Sequence, residues 1–411
     1  MLSKRPRKAR AFAVADSTAT TNKAPLPPGF WTIWTTVALD LVGFGIVAPI
    51  LGRYAERFGA SGLEVGLLFA SFSLAQFVFS PILGRVSDRV GRKPVIIVSL
   101  IGTAIGSFVT GAAGALWVLF LGRIIDGASG ASVAVAQSAI TDIAPPDQRT
   151  KLLGMLGAAF GIGFVLGPAV GGLAALGGPH VPFYVAGTVA AVNAVLAFIR
   201  LPETKREAVT TSSSIHAATR VGSPELFRFA VVGFVATAGF AGFEATFSLF
   251  GERRFDLTEG SAAAVFLFVG ALLVVVQGVL VGKLAARVHP FTLLRGALLV
   301  VAVGLFALST ATTWPVLFIS LAVLAFGQGV ATPSLTSLVA EAAPEERRGE
   351  ALGYQQSVGA LARIAGPIAA GAVFDGVGVG APYVVGGVLL VLALVVVSRT
   401  PQDVVAGGTR P

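Results

Sequence analysis

Long apolar stretches alternate with short polar segments along almost the whole chain. A helix needs about 20 residues to cross the hydrocarbon core of a bilayer, and the stretches are of about that length. The pattern therefore predicts an all-α polytopic membrane protein with about twelve transmembrane helices. The stretches lie near 30–51, 62–83, 94–113, 115–140, 152–175, 181–201, 225–250, 260–285, 291–312, 315–340, 351–373 and 381–398.

Polar segments divide this series into parts. Residues 1–29 are basic and rich in Ser, Thr and Pro, which is typical of a disordered tail. A polar linker at 202–224 separates a first group of six stretches, 30–201, from a second group, 225–398. Residues 399–411 form a second tail. We expect two six-helix bundles joined by a cytoplasmic linker, with both tails cytoplasmic.

Charge placement gives the orientation. All but six of the 30 Lys and Arg lie in the tails, in the linker, or in the loops that follow even-numbered stretches and the helix ends beside those loops. Under the positive-inside rule, both termini are expected in the cytoplasm and the protein in a bacterial-type inner membrane. Four of the six lie on the opposite side and two lie within stretches: Arg53, Arg57, Arg253 and Arg254, then Arg123 and Arg363.

Composition excludes several kinds of chemistry. The chain has no Cys, and its three His are far apart, so no disulfide, metal site or cofactor is expected. A phosphate-binding G-x-x-x-x-G-K-[ST] loop does not occur, so direct use of ATP is not expected, and no catalytic constellation indicates an enzyme. The net charge of +9 lies mainly in tails and loops, so we predict no nucleic-acid partner.

An internal repeat relates the two halves. Gly154 and the pair Gly167–Pro168 in the first half match Gly353 and the pair Gly366–Pro367 in the second half. The spacing between the glycine and the pair is the same in both halves. Several matches in register indicate a duplicated six-helix unit, which suits a transporter with a substrate cavity between its halves.

A short charged segment, Gly84–Lys93, lies between the second and third stretches and is predicted to be a loop. Its order, G-x-x-x-D-R-x-G-R-K, resembles the signature between helices 2 and 3 of the major facilitator superfamily. We predict that Asp88 holds the outward-facing state by contacting the cytoplasmic end of another helix. An ordinary positive-inside loop is the alternative. The predicted gating residues of this segment are Gly84, Asp88, Arg89, Gly91 and Arg92.

Two further segments resemble signatures of the same superfamily. Gly122–Gly127 matches the R-x-x-x-G pattern of span 4, which implies that Arg123 takes part in proton coupling, often facing an acid in span 1. The segment Gly163-x-x-x-Gly167-Pro168-x-x-Gly171-Gly172 resembles the antiporter signature of exporters. We predict that it forms a tight gating interface, and ordinary small-residue packing is the alternative.

Ionisable residues inside a membrane are functional candidates. Asp40 in the first stretch is predicted to be the proton-titrating carboxylate, with a packing role as the alternative. Arg123 and Asp126 share one face of a helix at i,i+3. The sequence leaves open whether Arg123 serves Asp40 or is held by Asp126, and all three are predicted to act in proton coupling.

A substrate cavity is predicted from the remaining polar and aromatic residues within the stretches. An acid among aromatic rings, Glu244, suits a cationic or zwitterionic ligand. Outward snorkelling of Glu244, structural pairing of Arg363 and helix–helix hydrogen bonding by the Gln side chains are the alternatives. The predicted cavity residues are Gln76, Gln137, Phe243, Glu244, Phe247, Gln277, Gln328 and Arg363.

Residues 30–398 together resemble the drug:proton antiporters of the tetracycline-efflux type. The resemblance implies a proton-coupled secondary exporter of amphiphilic drug-like molecules that works by alternating access. Its expected partners are a small-molecule substrate, protons and membrane lipid, and a monomer is expected. The alternatives are a tetracycline-specific exporter, an exporter of sugars or other metabolites, and a receptor that does not transport.

Overall fold

A computed structural model describes residues 26–145, 148–204, 224–344 and 347–398. Most of the predicted tails and linker therefore lies outside the described residues. Within the described part, twelve helices are long and apolar enough to cross a membrane, and no strand occurs, so the predicted fold class is confirmed. The helices are α1 Phe30–Glu56, α2 Gly62–Val90, α3 Arg92–Gly111, α4 Leu116–Ile143, α5 Arg149–Ala175, α6 Val181–Arg200, α7 Pro224–Phe255, α8 Gly260–Ala285, α9 Pro290–Ser309, α10 Trp314–Ala342, α11 Arg348–Gly376 and α12 Ala381–Ser398.

The charged segment Gly84–Lys93 is mostly helical, which corrects its prediction as a loop. Helix α2 continues to Val90, Gly91 alone forms the turn, and α3 begins at Arg92. The apolar stretch ends near residue 83, but backbone hydrogen bonds carry the helix through two further charged turns. Gly91 has φ +110°, a conformation that a residue with a β-carbon rarely adopts. A reversal of direction within one residue therefore requires glycine here.

Two of the helices are irregular near their middles. Helix α4 is interrupted at residues 130–131, where it divides into Leu116–Ser129 and Ser132–Ile143. Helix α8 contains a π-helical turn at Val276–Leu280. Both irregularities leave backbone groups without their usual partners, and such breaks are found where side chains or ligands interact with a helix.

The helices pack as two groups of six that meet along three lines. Helix α1 packs on α5 and α6, and α3 packs on α4 and α6, while α7 packs on α11 and α12, and α9 on α10 and α12. Contacts between the groups are made chiefly by α2 with α11, by α5 with α8 and by α1 with α7. These inter-group helices therefore enclose the centre of the molecule.

The sequence repeat appears as matched close contacts. A β-carbon at Gly167 would lie 2.5 Å from the Gly45 backbone on α1, and one at Gly366 would lie 2.8 Å from Ala238 on α7. In each half, the repeated glycine therefore lets the fifth helix of that half touch the backbone of the first. Between halves, Gly172 faces Ala263 of α8, while Gly371 faces the backbone at Gly62 of α2.

Among the described residues, the closest backbone contacts between the two halves lie towards one end of the molecule. We call the end with loops 57–61 and 256–258 the Arg53 end, and the end with the α2–α3 turn the Arg92 end. Towards the Arg92 end, three consecutive residues of α2, Phe77, Val78 and Phe79, are exposed. Three consecutive residues cover about 200° of a helix, so this part of α2 lacks packing on most sides. A cleft between the halves therefore opens at the Arg92 end.

Candidate functional site

A buried ion pair lies within α4. The Arg123 guanidinium donates from Nη1 to the Asp126 carboxylate at 2.8 Å and lies 4.2 Å from the ring centre of Phe72 on α2. Arg123 is 3 % exposed. Among the described residues, Asp126 is the only ion-pair partner of Arg123 within 4 Å. The structure thus places Arg123 with Asp126, the second of the two arrangements that the sequence left open.

Asp40 has a hydrogen-bond partner on another helix. The Ser132 hydroxyl, in the first turn after the break of α4, donates to the Asp40 carboxylate. At the same break, Gln76 donates from Nε2 to the Gly130 carbonyl oxygen at 2.9 Å. The break of α4 therefore brings a hydroxyl to Asp40, and Gln76 satisfies a carbonyl that the break leaves without a helical partner. This bond agrees with the hydrogen-bonding alternative for Gln76.

The glycines of the span-5 motif pack beside Asp40. Gly163 lies against Leu41, and a β-carbon there would come within 2.7 Å of the Leu41 side chain. Gly167 lies against Gly45, Gly171 lies against Ile46, and Pro168 is inside α5. Small residues allow this approach because they place no side chain between the backbones. The motif thus fixes the position of α1 next to the proton-coupling candidate.

Charged residues of the other half face this cluster. Glu244 on α7 lies within electrostatic range of Arg123 in the N-terminal half and of Arg363 on α11. The Glu244 Oε1 atom is buried without a hydrogen-bond partner, whereas the Arg363 side chain is exposed. A charged side chain that is exposed within a span lies in the water-filled cleft rather than in lipid.

Two predicted cavity residues are buried in the C-terminal half instead. Phe243 is 2 % exposed and Phe247 is fully buried. Their rings pack against each other and against Phe266, and Phe243 also packs against Tyr383. Neither ring faces the cleft, because the side of α7 that carries them faces the other helices of its own half. In this conformation both rings are therefore part of the packing of that half, and their role in lining a cavity stays a prediction.

The remaining predicted cavity residues differ in exposure. Gln277 is exposed in the π-helical turn of α8. Gln328 is half-buried on α10, and its Oε1 atom has no hydrogen-bond partner. Gln137 is half-buried on the second part of α4.

The charged residues of the α2–α3 turn interact within the N-terminal half. Arg92 pairs with Asp88 at 2.5 Å and with Asp142 at the end of α4 at 2.9 Å. The Glu203 carboxylate accepts hydrogen bonds from the backbone N–H groups of Arg92 and Lys93 at the start of α3. Arg89 lies in the last turn of α2, and Gly84 has no atom within 4 Å of where its β-carbon would stand. The predicted contact from Asp88 to a gating helix is therefore replaced here by an ion pair at the turn itself.

A set of ionic contacts joins the halves at the Arg53 end, and no sequence motif indicates these contacts. Arg53 pairs with Glu252 at 3.4 Å, and Arg253 pairs with Glu56 at 3.7 Å. The Asp375 carboxylate accepts from the backbone N–H groups of Gly62 and Leu63 at 2.9 and 2.8 Å. Spacing along the chain does not show that these residues meet.

Twelve helices long enough to span a membrane, packed as two matched halves with buried charged residues between them, are the architecture of a membrane transporter. The sequence pattern of the Major Facilitator Superfamily matches residues 33–312 and 292–409, and the chain belongs to this family.

Relatives and solved structures support the same assignment. The chain is 31% identical over 384 residues to a tetracycline resistance protein, class D, of Salmonella ordonez, covering 90% of this chain and 96% of the relative. It is 26% identical to multidrug resistance protein 2 of Bacillus subtilis, covering 89% and 93%. The human organic anion transporter MFSD10 superposes with a TM-score of 0.68 at 25% identity, covering 90% of this chain and all of that structure. The protein is therefore an integral membrane transporter related to drug-efflux proteins.

Proposed function

We propose that this protein exports amphiphilic drug-like molecules in exchange for protons by alternating access. Asp40 carries the proposal: it is a carboxylate inside a membrane span, bonded to Ser132, with no ion pair within 4 Å among the described residues. An acid without a cation at hand can hold a proton in one state and release it in another. Among the described residues, the ion-pair partner of Arg123 is Asp126. We propose that Arg123 can leave this pair and act on the proton exchange at Asp40.

Tetracycline and multidrug resistance proteins among the relatives support an exported drug as substrate. Tetracycline and cationic dyes such as ethidium are the first compounds to test. The span-5 motif, which resembles the antiporter signature of exporters and packs against α1 at Gly163 and Gly167, supports export rather than uptake. The positive-inside distribution supports cytoplasmic termini, which makes the conformation described above inward-facing. We further propose two six-helix domains, 30–201 and 225–398, acting as a monomer in a bacterial-type inner membrane.

The test is substrate-driven proton movement by purified protein in proteoliposomes with an imposed pH gradient. Asp40→Asn should abolish uphill export and leave downhill movement of the substrate, because the amide keeps the hydrogen bond to Ser132 but cannot take up a proton. Glu341→Gln is the matched control, since Glu341 is an exposed acid in the last turn of α10 that bonds Ser337. If Asp40→Asn exchanges protons at the wild-type ratio, Asp40 is not the coupling group.

A further inference from the structure

A row of uncharged polar side chains runs along α10 and crosses to α11. Gln328 donates from Nε2 to the Thr332 hydroxyl at 3.4 Å, and the Thr336 hydroxyl donates to the Thr332 carbonyl oxygen at 3.0 Å. Gln355 of α11 donates from Nε2 to the Thr336 hydroxyl at 3.4 Å. We call Gln328, Thr332, Thr336 and Gln355 the polar ladder.

The polar ladder lies on a face of α10 that does not pack into the C-terminal half. Residues at i, i+4 and i+8 share one helix face. Thr332 and Thr336 are exposed, whereas Leu335 and Leu338 on the neighbouring face are buried. Phe326, which is exposed and apolar, lies about 120° around the helix from Thr332, on the side suited to lipid.

Two observations place the ladder beside the cleft. Amide groups within a span are costly against lipid, so Gln328 and Gln355, which join the row from two helices, face water or a partner. Helix α11, which completes the ladder, also forms the contact with α2 of the other half. The ladder therefore stands next to the boundary between the halves, and that boundary is open at the Arg92 end.

Arg363 lies at the inner end of the ladder. It is about 22 Å along α11 from the helix start at Arg348, and Gln328 is about 21 Å along α10 from the helix end at Ala342, at 1.5 Å per residue. The two side chains thus lie at similar depth. From Gln328 to Thr336 the ladder extends about 12 Å towards the Arg92 end. The ladder leads from the open end of the cleft to Arg363, which interacts electrostatically with Glu244 on α7 of the same half.

The ladder has unused hydrogen-bonding capacity. Two of its bonds are long, at 3.4 Å, and the Gln328 Oε1 atom has no partner. Each amide carries two N–H donors, and the Thr332 and Thr336 hydroxyls, which donate to carbonyl oxygens of α10, can each still accept a hydrogen bond. Uncharged groups of this kind bind hydroxyl and carbonyl oxygens, and a guanidinium binds an anionic oxygen. A lipophilic cation without hydrogen-bonding groups would gain nothing from them.

We propose that the polar ladder and Arg363 bind the oxygen-rich edge of the substrate, with its anionic oxygen at Arg363. This selects polyoxygenated amphoteric molecules over lipophilic cations. The inference rests on the proposed export function, because it names the class of molecule that the same cleft accepts.

The test compares two probes, tetracycline with many oxygens and tetraphenylphosphonium with no hydrogen-bonding group, by calorimetric binding to detergent-purified protein without a proton gradient. Thr332→Val with Thr336→Val removes two hydroxyls at nearly constant volume. We expect tetracycline affinity to fall about tenfold, from two hydrogen bonds, and tetraphenylphosphonium affinity to fall much less. Arg363→Gln should also weaken tetracycline binding. Thr188→Val on α6 is the control, because Thr188 is an exposed hydroxyl that bonds its own helix at Tyr184.

Each outcome decides the inference. Equal loss for both probes, unchanged tetracycline affinity in the double variant, or no tetracycline binding by the wild-type protein would overturn it. Failure of proton-coupled export in proteoliposomes, with selective loss of tetracycline binding in detergent, would instead remove the proposed coupling and leave the ladder in place.

Discussion

The two ends of this transporter use the same kinds of residue for different connections. At the Arg53 end, ion pairs run from α1 to α7, and Asp375 of α11 binds the start of α2, so every one of these bonds joins the two halves. At the Arg92 end, Arg92 binds Asp88 and Asp142, and all three residues belong to the N-terminal half. These crossing ion pairs therefore join the halves at the Arg53 end, whereas the pairs of Arg92 stay within one half.

The glycines of the same helices show the same difference. Near the Arg53 end, a β-carbon at Gly66 of α2 would lie 2.8 Å from the Pro367 backbone of α11. Near the Arg92 end, Gly84 of α2, Gly282 of α8 and Gly353 of α11 have no atom within 4 Å of such a β-carbon. The helices between the halves thus carry glycines at both ends. The glycine near the Arg53 end contacts the other half, and the three near the Arg92 end do not. This is the arrangement expected if the halves rock about their middle and exchange one set of contacts for the other.

The largest expected effect comes from filling the close contact at the Arg53 end. Gly371→Leu would place a side chain where α11 touches the backbone of α2 at Gly62. Overpacking costs about 1–3 kcal/mol or more, so the population with a closed Arg53 end should fall at least about fivefold. Export should fall accordingly.

Spin-label distances across the Arg53 end measure this directly. The chain contains no Cys, so one cysteine in loop 57–60 and one in loop 310–313 can be labelled without removing others. Gly376→Leu is the matched control, because Gly376 also lies at this end of α11 but has no atom within 4 Å of its β-carbon position. An unchanged distance distribution in Gly371→Leu would show that the contact does not close this end.

A smaller effect is expected from the crossed ion pairs. Glu252→Gln removes the charge that Arg53 meets at 3.4 Å, and partly exposed pairs contribute about 0.2–1 kcal/mol. The population with a closed Arg53 end should fall by up to about fivefold. Exchanging the charges, with Arg53→Glu and Glu252→Arg, should recover part of that population.

The control for the ion pairs is Arg347→Gln at the other end. Arg347 pairs with Glu350 at 3.0 Å within one half, so its loss should not move the halves. If Arg347→Gln shifted the same distance distribution as strongly as Glu252→Gln, the crossed pairs would have no special part in closure.

The sequence predicts the spans and the cluster within α4, because both depend on spacing along one helix. Arg123 and Asp126 meet at i,i+3 as the spacing requires. Ser132 as the partner of Asp40 could not be predicted, since the contact depends on how α1 crosses the break in α4. The sequence does not show which side of α7 faces the cleft, because that helix is apolar on several sides, and Phe243 and Phe247 are buried within their own half. From the sequence alone, Arg53 and Arg253 are only minority charges on one side of the membrane, and the structure places them beside acids of the other half.

The smallest direct effect on this conformation is expected from Asp88→Asn. The Asp88 side chain is 59% exposed, and its ion pair among the described residues is with Arg92, so losing its charge should change stability by less than about 1 kcal/mol. We predict that in the opposite conformation, with the Arg92 end closed, Asp88 contacts a helix of the other half. Asp88→Asn should then deplete that conformation and lower export several-fold, while the thermal stability of the purified protein stays nearly constant. Arg85→Gln is the matched control, because Arg85 is one turn away on α2 and bonds Pro81 of its own helix. Spin labels across the Arg92 end should lose their short-distance population in Asp88→Asn and keep it in Arg85→Gln. Wild-type export together with a wild-type distance distribution in Asp88→Asn would remove this residue from gating, and the difference between the two ends would then rest on the contacts of the Arg53 end alone.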